Sequence, residues 1–225
     1  MRKWILIVVP TVIVLGLIVG DQAAKGWAES QLAQRAAAYY PPGAGSSASI
    51  HSFPFVGRLL VSGSVPEIDV NLDDVRVDPV LIRQLSIQAT DVKLSRSDLF
   101  HGKVHLDKVG SGKIVATLDG PSLARAAGVD MRFTPGEATI HQKIQGVDVT
   151  AKGKVTVNGN VVTVTPTSVQ GLDVPPSRFA LSYRLPGIEL FPCQADVKVV
   201  DNGVVLACTL HDIPPALVQA AQSGG

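Results

Sequence analysis

QADVKVVDNGVVLACT, residues 194–209, is the stretch on which the fold turns. Val197 and Val199 precede Asn202-Gly203, and Val204, Leu206 and Cys208 follow it. Period-two alternation on both sides of Asn-Gly is the strongest short signal for a β-hairpin with a two-residue loop. A loop at Asn202-Gly203 sets Val197 opposite Cys208. Cys193 then lies four residues beyond that row, roughly 13 Å along an extended strand. A disulfide needs Cα atoms within about 7 Å, so a Cys193–Cys208 bond requires Pro192 or a bulge to bend the chain back. The alternative is two separate thiols packed as small apolar groups.

Reading outward, the same alternation recurs in Ile68, Val70 and Leu72, in Leu85, Ile87 and Ala89, in Ile114, Ala116 and Leu118, and in Ala138, Ile140 and Ile144. It returns across residues 155–164 around Asn158-Gly159-Asn160. The body therefore reads as a series of antiparallel hairpins. Two short helices interrupt it, residues 55–61 after Pro54 and residues 122–127 after Pro121 with Gly128 as a stop. Upstream, Ala24, Trp27, Ala28, Leu32, Ala36 and Tyr39 mark a helix over residues 21–40, ended by Pro41-Pro42-Gly43. The class is α+β.

Ahead of that helix, Arg2 and Lys3 precede an apolar run over residues 4–20 that stops at Asp21. It fits an N-terminal transmembrane anchor at the lower limit of length, or a cleaved signal segment. No convincing small-x-small cleavage site follows, which favours the anchor. The positive-inside rule then places the main domain extracytoplasmic, on the outer side of the cell membrane. The expected division is residues 1–20 as anchor or signal, 21–220 as one domain, and 221–225 as a flexible tail.

A net charge of +1 with basic residues spread singly gives no nucleic-acid footprint. Aromatic residues make up 5% of the chain, too few for stacking platforms, so the interior is aliphatic. His101 and His105 in HGKVHLD are four apart, but on a strand their rings diverge by about 13 Å. His51, His141 and His211 have no local ligand partner. Val109-Gly110-Ser111-Gly112-Lys113 lacks the first glycine and the hydroxyl of a phosphate loop, and reads as a hairpin turn. Asp69, Asp73 and Asp74 read as solvated strand and turn residues. No catalytic constellation, metal site or cofactor motif is present locally, so a non-enzymatic role is expected.

SFPFVGRLL at residues 52–60, EIDVNLDDVRV at 67–77 and LPGIELFPCQADVKVVDNGVVLACTL at 185–210, in that order, resemble the LmeA-like phospholipid-binding family of actinobacterial cell-envelope proteins. The resemblance covers nearly the whole chain. It implies a strongly curved antiparallel sheet wrapped around an N-terminal helix, similar to the tubular lipid-binding folds of the bactericidal/permeability-increasing type. It also implies a phospholipid or other acyl-chain lipid as ligand, and no agreed catalytic residues. A curved sheet with one aliphatic face needs an apolar cover, and the helices are few; a lipid tail can supply the missing surface.

On that reading Phe53, Phe55, Val56, Leu59 and Leu60 form a groove entrance or membrane-touching edge, against the alternative of a hydrophobic staple into the core. Trp27 lines the groove or sits at the membrane interface. Leu190 and Phe191, between Pro186 and Pro192, form a second rim or pack inside. The expected function is a membrane-anchored lipid carrier or sensor supporting envelope assembly. The rival is a scaffold that holds an envelope-biosynthesis enzyme through its strand edges.

Overall fold

The computed structural model describes residues 2–38, 45–95, 97, 106–144, 146–158, 161–170, 180–184 and 195–211, with residues 2–15 as backbone alone. Among them are three helices, α1 (Arg2–Ala38), α2 (Phe55–Ser62) and α3 (Gly120–Ala127). Two antiparallel sheets accompany them, one curled into a half-barrel. Leu190, Phe191, Cys193, His101, His105, the Pro41-Pro42-Gly43 cluster and the tail lie outside the described residues.

The first sheet holds β1 (Gly45–His51), β2 (Ser64–Val77), β3 (Val80–Leu94), β4 (Leu106–Lys108), β5 (Ser111–Asp119), β11 (Asp196–Val200) and β12 (Gly203–His211). Its order is β1-β2-β3-β5-β12-β11, with β4 also on β3. The second holds β6 (Asp130–Thr134), β7 (Glu137–Ile144), β8 (Val147–Asn158), β9 (Val161–Gln170) and β10 (Leu181–Arg184), in the order β10-β9-β8-β7-β6.

Register aligns the apolar positions in rows across the first sheet. Ala48, Val70, Ile87, Ile114 and Cys208 stand opposite one another on β1, β2, β3, β5 and β12. Leu72, Leu85, Ala116, Leu206 and Val197 form a parallel row. The alternate positions carry polar pairs such as Gln88 with Glu67 and Thr90 with Ser111. Over these rows one face is apolar and the other polar, as period two requires.

The expected curved antiparallel sheet is present as the half-barrel, but the N-terminal helix does not cover it. Leu72, Leu85, Leu118 and Leu206 pack against Phe133, Ile140, Val157 and Val164 of the second sheet and Leu123 of α3, in one large core. A helix about 10 Å across cannot cover six strands spaced roughly 4.8 Å apart. The second sheet supplies the cover that the sequence assigned to a lipid tail. α1 packs against β1, β2 and α2, with Ala24, Ala28 and Leu32 on a smaller core of Ile50, Phe55, Val65 and Val92, and Ala36 reaching the larger one.

Two further expectations shift. Val197 stands opposite Leu206, not Cys208, because the loop is Asp201-Asn202 and Gly203 opens β12. Asn202 takes the left-handed conformation at φ 57, while a Cβ on Gly203 would lie 2.4 Å from the Leu118 carbonyl oxygen. This glycine serves strand approach rather than the turn. Cys208 is buried and disulfide-bonded. The Val109-Lys113 stretch is no hairpin turn: β4 and β5 both pair with β3, and Gly110 sits at the break, where its N–H donates to the Thr90 carbonyl. A Cβ there would come within 2.8 Å of Asp91 Cβ.

α1 is continuous through residues 20 and 21, the expected anchor boundary. Among the residues described with their side chains no helix is long and apolar enough to cross a membrane.

Candidate functional site

The site begins with the residue that ends the apolar run. Asp21, on α1 and 7% exposed, accepts hydrogen bonds from the backbone N–H of Phe55 at 2.8 Å and of Val56 at 2.6 Å. Those are the first two amides of α2, whose own N-cap position, Pro54, offers no side-chain acceptor. A carboxylate at a helix N-terminus satisfies orphan donors and complements the helix dipole. Asp21 therefore fixes α2 against α1.

α2 is amphipathic. Phe55 is buried, Val56 and Leu59 pack half-buried on the smaller core, and Gly63 ends the helix at φ 62. Leu60 and Val61 point outward, Leu60 being 50% exposed. Phe53, ahead of Pro54, is 63% exposed.

Between α1 and this segment opens a cavity of about 600 Å³. Leu17, Ile18 and Asp21 line it from α1, and Phe53, Val56 and Leu60 from the other side. Its volume is within the usual range for a small-ligand site, roughly 300–1,000 Å³. Leu17, Ile18, Phe53 and Leu60, which line it, are themselves exposed.

The structure thus gathers Phe53, Val56 and Leu60 at one cavity, while Phe55 and Leu59 belong to the core beneath it. Trp27 is 69% exposed on α1 and does not line this cavity. Sequence reasoning missed the opposite wall, residues 16–21. The only local signal was that a carboxylate closes the apolar run, and its partners lie 34 and 35 residues away.

A polar cluster stands apart from this surface. His51 Nε2 is 2.9 Å from Asp69 Oδ2, and Glu67 completes a group of three within 4.8 Å. The sequence showed His51 without a local partner because β1–β2 pairing brings these residues together. Asp69 and Glu67 also serve the polar face of the sheet, where Gln88 donates to Glu67.

A comparison with protein families finds that the model described as LmeA-like phospholipid-binding matches residues 19–209. Neither the curated proteins nor the solved structures give a match.

Proposed function

The chain belongs to the LmeA-like phospholipid-binding family, and from that premise we propose that it is a membrane-anchored, extracytoplasmic carrier or sensor of phospholipid, with an acyl chain held between α1 and α2. The observation that carries this reading is the apolar cavity of about 600 Å³ bounded by Leu17, Ile18, Phe53, Val56 and Leu60. Each buried methylene contributes about 0.8 kcal/mol, so a partly buried chain binds without a charged site.

The anchor is the run over residues 4–20, with Arg2 and Lys3 on the cytoplasmic side. Its support is continuity: α1 carries Leu17 and Ile18 from the end of that run into the cavity wall. A lipid leaving the bilayer beside the anchor meets the cavity first. Delivery to an envelope-biosynthesis enzyme is the role we assign to the carrier.

The test is lipid extraction and mass spectrometry on the full chain purified in a non-ionic detergent. Phospholipid near one per chain is expected, and Leu60→Asp is expected to lose it while keeping the wild-type thermal midpoint, since Leu60 is half exposed. An empty wild-type chain that also refuses added phospholipid overturns the reading.

A further inference from the structure

We propose that a second cavity, on the other side of α2, holds the phosphate of the lipid whose acyl chain lies in the first; this rests on the reading above. The second cavity has a volume of about 700 Å³. Pro54 and Gly57 line both cavities, so the two meet across α2. Both are mainly apolar, and they differ in charge. The first is lined by Leu17, Ile18, Phe53, Val56 and Leu60 with Asp21 as its one charged residue, whereas the second adds the cations Arg58 and Lys93 and the hydroxyls of Ser62 and Ser64 to an apolar wall of Val61, Val65 and Pro66.

Arg58 and Lys93 come from separate elements, α2 and β3, and converge on one space. Among the described residues neither is in an ion pair. Asp91 also lines the cavity, so the local balance is two cations against one carboxylate. The Ser62 hydroxyl donates to the Arg58 carbonyl at 2.8 Å, and Ser64 Oγ lies 2.7 Å from Ser62 Oγ. With the Ser62 proton so used, the Ser64 hydroxyl donates to Ser62.

A guanidinium and an ammonium are donors that phosphate oxygens take. The two cavities together match an amphiphile with an apolar tail and an anionic phosphate head. α2 is the wedge between them. Because Gly57 has no side chain, the two ends of such a ligand are not walled apart at that position. A Cβ there would already press on Pro54 Cγ at 3.2 Å.

The test uses the full chain in non-ionic detergent with an equimolar mixture of dihexanoyl phosphatidylglycerol and dihexanoylglycerol, which share chains and differ in the phosphate head. The bound ratio is read by native mass spectrometry. Wild type is expected to favour the phosphate-bearing lipid by roughly tenfold, in keeping with charge-assisted hydrogen bonds at a partly solvated site. Arg58→Gln with Lys93→Gln is expected to bring the ratio near parity, and Arg58→Lys to retain part of it. Leu60→Asp is expected to lose both lipids. Equal binding by wild type, or a preference that survives in the double variant, overturns the headgroup site and leaves the acyl cavity standing. Displacement of the lipid by an equal concentration of inorganic phosphate also overturns it, as a free-phosphate site. Binding of neither lipid overturns the headgroup site together with the acyl cavity.

Discussion

Asp21 joins two helices through a single carboxylate. Its two acceptors meet amides of Phe55 and Val56 that are otherwise unpaired at the start of α2. Asp21→Ala is expected to destabilise the full chain by about 2–3 kcal/mol, since both a cap and buried-donor satisfaction are lost. Asp21→Asn, which keeps one acceptor oxygen, is expected to lose less; urea denaturation of both variants gives the comparison. That a carboxylate closes the apolar run was legible in the sequence. That it caps a helix 34 residues later was not, because the pairing exists only once α1 and α2 are in contact. Gly203 teaches the same lesson in reverse. Asn-Gly correctly announced a hairpin, yet Asn202 carries the positive φ and Gly203 yields to the backbone of β5. The turn therefore sits one residue earlier, and each pair shifts by two.

Among the elements, α2 and α3 were legible within two residues because their punctuation is local. Pro54 and Gly63 bracket α2, while Asp119 caps α3 by accepting from the Ser122 amide at 2.9 Å. The β2–β3 hairpin was only half legible. Leu72 and Val75 are both buried although three apart, and so are Ile82 and Leu85. Strict alternation forbids this. Asp74 at φ 55 and the register break between Ile82 and Gln84 rotate the strands so that both ends face the core. Short polar side chains tolerate that backbone; β-branched ones do not. Asp74→Gly is expected to stay within about 0.5 kcal/mol of wild type and Asp74→Val to lose about 1–2 kcal/mol, read by the same denaturation. Equal losses for both would mean that Asp74 matters through its carboxylate and not its backbone.

At the scale of the whole molecule, β2 and β3 run from the smaller core under α1 and α2 into the larger core between the sheets. The two cores differ in what supports them. Deleting residues 1–27 removes Ala24 from the smaller core and the Asp21 cap from α2, while Ala36, which among the described side chains of α1 is the one packed on the larger core, is kept. Hydrogen exchange on the deletion variant is expected to show Phe55–Ser62 fully unprotected while β5 and β12 keep their protection. Protection retained across α2 would contradict the dependence on Asp21. The sequence by itself determined the strand-rich α+β character, the amphipathic rows, the two short helices and a family resemblance that the matched residues 19–209 bear out. These follow from periodicity and turn chemistry, which are local. Only the tertiary structure decided that the apolar face of the first sheet is covered by a second sheet, and that the cavity lies where residues 16–21 meet residues 53–60. Such partnerships rest on long-range contacts between surfaces of matching hydrophobicity, and apolar patterning states that a face must be buried without stating against what.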